Sequence, residues 1–350
     1  MQKVRIGVIG AGGIACSIHL PLLAAMAEAE LSAVCDYLPG RALEAAKRFG
    51  IPGISLSYHE MLAQEKLDAV FVLVPPDGLF RAASDCLLAG KHVFMEKPMG
   101  ISAFQAKSLR EIAASQRRIL HTGFNRRFIP AVREIVREFC KVSTITRVEG
   151  CFYKNSSPSF YGGCASSFIC DVIHVIDLVR HLASGGAGKI SPVTEAATLE
   201  TDNPQTHIAE AWYSSMRFEN GVTGGVRANY RTGGRVHQFE IHGPGASAFI
   251  NLGFGEPACS GKILRSQGPG THSLSAAGAG GQELAEFDGI KIAGSDVYAD
   301  YYGYRDEDRL FIQTVQENRE AGDPARAAED CSSMELAEYL LGARVKTGPC

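Results

Sequence analysis

Between residues 4 and 124 the chain alternates short apolar runs with stretches whose apolar positions recur at helical spacing. The runs 4–9, 31–35, 54–56, 68–74, 91–95 and 119–122 have strand length, and the stretches 13–27, 41–49, 79–89 and 103–115 predict helices, the last with Ser102 as N-cap. Repeated β-α units of this kind predict a parallel sheet covered on both faces and joined by right-handed crossovers. Beyond a helix starting near Pro130 the period shortens to two, and alternating strands dominate from 146 to about 265. Within that region 209–218, 222–231 and 236–242 are joined by Glu219-Asn220-Gly221 and Thr232-Gly233-Gly234, which read as hairpin connections. A helical segment at 167–182 interrupts the second sheet, helices near 306–320 and 325–344 follow it, and the glycine-rich stretch 268–281 reads as a loop that could act as a lid.

A length of 350 residues exceeds what one core holds and divides at the change of period, giving domains 1–123 and 124–350. The run 6–27 has no Asp, Glu, Lys or Arg and is long enough to span a bilayer, but Gly7, Gly10, Gly12, Gly13, His19 and Pro21 interrupt it. It reads as strand, tight turn and helix, with neither a signal peptide nor a membrane span. Thirty-five basic and 38 acidic residues give a net charge of -3, which makes no electrostatic case for nucleic acid or anionic lipid as partner. Ten cysteines with no Cys-x-x-Cys spacing read as reduced thiols of a cytoplasmic protein. There is no G-x-S-x-G elbow and no Walker loop.

Gly10-Ala11-Gly12-Gly13-Ile14-Ala15 follows the first strand and opens a helix, which is the context the G-x-G-x-x-(G/A) dinucleotide fingerprint requires. Gly10 allows the tight turn, Gly12 lets backbone approach a pyrophosphate, and the helix N-terminus faces the phosphates. Asp36, closing the second strand, is placed to accept from the adenosine ribose hydroxyls, which favours NAD; Arg41 keeps NADP as the alternative. The expected fold class is therefore α/β plus α+β, an N-terminal Rossmann domain followed by a domain with a large open antiparallel (mixed) sheet. The apolar strand within Gly90-Lys91-His92-Val93-Phe94-Met95-Glu96-Lys97-Pro98 ends by presenting a lysine. Ligands of open α/β sheets sit beyond such strand ends, so Lys97 is a candidate acid/base.

With GAGGIA followed by His19-Leu20-Pro21, then Val74-Pro75-Pro76-Asp77, AGKHVFMEKP and Gly123-Phe124-Asn125-Arg126-Arg127-Phe128, the chain resembles the glucose-fructose oxidoreductase and inositol dehydrogenase family, Gfo/Idh/MocA, over essentially its whole length. The resemblance implies that Lys97 lies beside nicotinamide and substrate and that the Lys97–Pro98 bond is cis. It implies cofactor contacts from Gly10, Gly12, Gly13, Ile14, Asp36, Tyr37, Arg41, Val74, Pro75, Glu96, Lys97 and Asn125. The family's second signature corresponds to Phe168-Ile169-Cys170-Asp171-Val172-Ile173-His174-Val175-Ile176-Asp177, where Asp171 and His174 share a helix face that Asp177 continues. Many relatives carry the aspartate four residues before the histidine, a position held here by Cys170.

The activity these readings imply is oxidation of a secondary alcohol on a sugar, sugar derivative or cyclitol by NAD(P), reversible to carbonyl reduction. Lys97 acts as acid/base, and His174 and Asp171 hold the reacting hydroxyl. Arg126 borders the substrate, and Tyr153, Asn155, Tyr230 and His237 on the second sheet are candidates for further hydroxyls. The alternatives are a non-catalytic sugar or dinucleotide sensor, and a glycoside-cleaving enzyme using NAD transiently; net NADH accumulation separates the three. A zinc site from Cys164, Cys170 and His174 is disfavoured by irregular spacing, and no metal is expected. The large sheet predicts a homodimer or homotetramer through its open face.

Overall fold

A computed structural model describes residues 2–157, 166–186, 191–205, 208–253, 259–266, 282–317 and 323–343, the side chains of 282 and 283 excepted. The stretch 268–281 and Cys164 lie outside the described residues. The first sheet contains β1 (Val4–Ile9), β2 (Ala29–Cys35), β3 (Gly53–Ser55), β4 (Ala69–Val72), β5 (His92–Met95) and β6 (Leu120–Thr122) in the order β3-β2-β1-β4-β5-β6, all parallel. The order reverses beside β1, which opens a crevice at the carboxyl ends of β1 and β4. β4 and β5 are buried on both faces, as their unbroken apolar sequences Ala-Val-Phe-Val and His-Val-Phe-Met require. The run 6–27 forms β1, a turn and the helical stretch that ends with Leu20–Ala25, and no helix among the described residues is long and apolar enough to cross a membrane.

The second sheet has eight strands, β7 (Arg147–Asn155), β8 (Val193–Asp202), β9 (Ala209–Phe218), β10 (Thr223–Asn229), β11 (Arg231–Gly243), β12 (Ala246–Asn251), β13 (Ser260–Arg265) and β14 (Gln282–Asp288). Their order is β14-β13-β12-β11-β7-β10-β9-β8, antiparallel throughout except for the parallel pair β7 and β10. Along β9 alternate residues are buried, so one face packs and the other stays open. Helices Pro130–Val142 and Ile173–Ala183 cover the packed face; a side chain on Gly150 would strike Val175, and one on Gly224 would press on Val179.

Glu219-Asn220-Gly221 turns β9 into β10, with Gly221 at φ +85°. Thr232-Gly233-Gly234 makes no hairpin. It lies within β11, where the register against β7 shifts between Arg231 and Val236, and β7 itself separates β10 from β11. The glycines accommodate an irregularity in a strand instead of reversing it.

Where the sequence reading cuts the chain once, after residue 123, contacts divide it into two compact units made of several segments. One collects Met1–Asn125, Phe160–Asp171 and Tyr304–Glu335, and the other Arg126–Ser159, Val172–Gly303 and Leu336–Cys350. The late helix Tyr304–Glu317 thus completes the core of the parallel sheet, with Phe311 edge-on to Phe71 at 5.4 Å and to Phe94 at 5.7 Å. The next helix is tied in by Asp330, which accepts from the Thr122 amide at 2.9 Å.

Candidate active site

In the first unit, the turn after β1 fits the pyrophosphate of a dinucleotide. Gly10 has φ +94°, and a Cβ there would stand 2.5 Å from the Leu73 carbonyl oxygen, so only glycine permits this crossing over the end of β4. Side chains on Gly12 and Gly13 would meet nothing within 4 Å, which leaves their backbone open to a ligand. A groove of about 250 Å³ is lined there by Ala11, Gly12, Gly13, Cys16, Arg41, Glu44, Ala45 and Arg48. Asp36 is buried, and its carboxylate accepts from Ala11 N at 2.8 Å and Leu38 N at 2.9 Å. One of its four acceptor positions therefore braces the glycine turn and one the chain after β2, and two are left for ribose hydroxyls. Tyr37 stands exposed beside it. Arg48 carries no motif in the sequence; two helical turns beyond Arg41, it reaches the same groove.

β5 delivers Glu96 and Lys97 at the same carboxyl edge, with Glu96 N bonded to Val72 O at 3.0 Å and the Lys97–Pro98 peptide cis. Val74 and Pro75 follow β4 on that edge, before the helix Pro76–Leu88. Lys97 is half-buried, and its Nζ donates to the backbone carbonyl of Cys170 at 3.1 Å. Cys170 and Asp171 lie in a π-helical turn, Phe168–Val172, which changes the helical count just before His174. His174 stands in the second unit, in the helix Ile173–Ala183, and Asn125, buried, ends the first.

Behind Lys97 the same unit holds a charged centre that the sequence did not reveal. His19 is wholly buried; its Nδ1 lies 3.0 Å from both oxygens of Asp308, and its Nε2 lies 3.3 Å from Glu96 Oε1. Glu96 Oε2 in turn accepts from Lys97 N at 3.0 Å. Pro21 supplies no N–H to the helix, and the ladder opens into a π turn, Ala15–His19, that carries the ring inward between Phe71 and Phe94. Burial alone would lower the ring's pKa, but Asp308 and Glu96 overcome it and push it up to about 10. A neutral imidazole has one N–H and cannot serve two carboxylates, so the ring is an imidazolium. The adjacent Glu307, also wholly buried, is raised well above the carboxylate range by desolvation and stays neutral. A histidine in an otherwise apolar helical run was the available signal; its acidic partner, 289 residues away, was not.

The second unit places the remaining candidates on two opposite faces. Phe152 on β7 and His237 on β11 pair directly and stack at 4.3 Å on the packed face. Arg126 joins them, its Nη2 3.2 Å from His237 Nδ1 and its guanidinium 5.5 Å from the Phe152 ring centre. Tyr230, fully buried, lies near Phe152 and Trp212, with Lys154 Nζ 4.8 Å from its ring. Strand alternation turns Tyr153 and Asn155 the other way, with Tyr153 opposite Val236 and Asn229, so they do not share a surface with His237. Asp177, one turn beyond His174, is buried and its carboxylate is held by Arg127, with Nε at 2.8 Å.

Residues 4–124 match the model of the oxidoreductase family described by its NAD-binding Rossmann fold. The myo-inositol 2-dehydrogenase of Thermotoga maritima is 34% identical over 249 residues, covering 69% of this chain and 74% of that protein. The scyllo-inositol 2-dehydrogenase (NAD(+)) of Bacillus subtilis is 29% identical over 267 residues, 71% of this chain and 74% of its own. In fold the chain is similar to a dehydrogenase from Chromobacterium violaceum, TM-score 0.81 at 19% identity over 98% of this chain and 96% of that one. It is also similar to the 3-ketoreductase KijD10 of Actinomadura kijaniata in complex with NADP and TDP-benzene, TM-score 0.76 at 19% identity over 98% of both chains. The glycine turn, the lysine at the end of β5 and these likenesses agree: the chain belongs to the Gfo/Idh/MocA family of NAD(P)-binding oxidoreductases.

Proposed function

We propose that the protein is an NAD(P)-dependent dehydrogenase of a secondary alcohol on a sugar, sugar derivative or cyclitol, with Lys97 as its acid/base. The observation that carries this reading is the placement of Lys97 Nζ beyond β5, on the same carboxyl edge of the sheet as the open Gly12-Gly13 backbone. A bound nicotinamide supplies the hydride acceptor. The chain's part is to hold the alcohol and move its proton: Lys97 Nζ takes the hydroxyl proton as the carbinol C–H bond is lost, and returns it in the reverse direction. The Cys170 carbonyl fixes Nζ on one side and Glu96 fixes the Lys97 backbone on the other, which lowers the cost of orientation. His174 and Asp171 hold the reacting hydroxyl in this reading.

Lys97→Ala is expected to lower turnover by about 10² to 10⁴-fold, the usual contribution of an acid/base group, with NAD binding by fluorescence titration near that of the parent. Turnover within a few-fold of the parent would remove Lys97 from the chemistry. The same reading has the chain assemble as a homodimer or homotetramer through the open face of the eight-stranded sheet. Leu199 and Tyr213, paired across β8 and β9 and 47% and 49% exposed, support that surface, and sedimentation measures it.

A further inference from the structure

Arg126 and Arg127 are adjacent, identical in type and almost equally buried, 3% and 2% exposed, yet among the described residues only Arg127 has a counter-charge. Arg127 follows the general rule that buried charges are paired, through Asp177. Arg126 does not. Its Nη2 meets a histidine nitrogen, and its Nε and Nη1 have no hydrogen-bond partner among the described residues.

Four titratable groups that feel its charge are held in their neutral forms. His237 is pushed far below its usual range by burial first and then by Arg126, Arg235 and Lys154, so its Nδ1 accepts and carries no charge. Burial pushes the Cys259 thiol up to about 12, and the Tyr298 and Tyr302 phenols upward as well. A buried guanidinium whose Nε and Nη1 hold three N–H groups, with no acceptor for them among the described residues, lacks an anion.

We propose that the substrate itself supplies that anion: a sugar or cyclitol carrying a carboxylate or phosphate, bound through Arg126 Nε and Nη1. This rests on the dehydrogenase reading above and narrows its substrate class. An oxyanion at Arg126 would form charge-assisted hydrogen bonds inside a low-dielectric site, where the neutral parent sugar would leave the charge uncompensated.

The test uses matched pairs: glucose with glucuronate, glucose with glucose 6-phosphate, and myo-inositol with an inositol monophosphate. Each is assayed for NAD(P)H formation and, with NAD(P) present, for binding by calorimetry. The wild-type protein is expected to favour the anionic member of at least one pair by about 10²-fold in kcat/KM, and the pair that shows it distinguishes carboxylate from phosphate. Arg126→Met should reduce that ratio by about 10²-fold, mainly through KM, and Arg126→Lys by less. Without ligand, Arg126→Met should also melt higher than the parent, because it removes an uncompensated buried charge; a merely structural arginine would melt lower.

Equal kcat/KM within every pair, or a ratio unchanged in Arg126→Met, overturns the proposal and leaves the dehydrogenase reading standing. If no member of the panel is oxidised, that reading fails. Calorimetry then decides for Arg126 alone: binding of an anionic member lost in Arg126→Met supports the anion site, and no anion binding by the wild type overturns it.

Discussion

Replacing His19 by Gln removes the cation that lies between Asp308 and Glu96 and leaves two carboxylates facing an amide. The consequence depends on pH, and its sign follows from the direction of the ring's shift. His19 is raised from 6.5 to about 10, so its contribution to stability is complete below pH 6.5 and is lost as pH rises through 10. Each pH unit inside that window withdraws about 1.4 kcal/mol, so between pH 6.5 and 9.5 the loss is at most about 4 kcal/mol. Burial also raises Asp308, and the cost of keeping that carboxylate ionised beside neutral Glu307 draws part of this back. An advantage of wild type over His19→Gln that narrows by about 2–4 kcal/mol over this range is therefore expected. Urea denaturation followed by far-UV circular dichroism at half-unit pH steps measures it, and the difference between the two proteins cancels groups that titrate alike in both. Parallel stability curves from pH 6.5 to 9.5 would refute an imidazolium at this position.

Two further perturbations bear on the same reasoning. Asp177→Leu leaves Arg127 buried without its carboxylate and is expected to cost about 3–5 kcal/mol in urea denaturation, most of it recovered in the double variant Arg127→Met/Asp177→Leu; a single-variant cost under about 1 kcal/mol would mean the pair is not desolvated. Along the wall of the cofactor groove, Arg48→Ala should weaken NADP binding at least about 10-fold more than NAD binding, because only NADP carries a phosphate on the adenosine ribose; equal losses would place the adenosine end elsewhere.

The parts of the fold legible in the sequence are those whose cause is local. Gly10 declares itself because a turn over a strand end demands positive φ and no Cβ, and Ser102 caps its helix by accepting from Gln105 N three residues on. Thr232-Gly233-Gly234 misleads because glycines mark both turns and strand irregularities, and only the insertion of β7 between β10 and β11 decides between them. The substrate candidates separate for a related reason. Alternation along β7 is readable, but which parity faces the helices is set by the register that pairs Phe152 with His237, and that one fact sends Tyr153 and Asn155 to the other side.

Charge is where the sequence is least able to speak, because a residue type gives the sign and the fold gives the partner. His19, Asp36, Glu96 and Arg127 are all ionisable residues in or beside recognisable motifs, and the structure assigns each a partner from a different distance along the chain. Asp36 finds the Ala11 amide 25 residues away, Arg127 finds Asp177 50 away, and His19 finds Asp308 289 away. These pairings brace the site: Asp36 steadies the glycine turn, and His19 steadies the Glu96 that receives the Lys97 amide. Partner-finding then acts as a filter on the candidates. Among the described residues Arg126 passes through it with Nε and Nη1 still open, although its sequence neighbourhood is nearly that of Arg127, and that difference, not the arginine itself, is what points outward to a ligand.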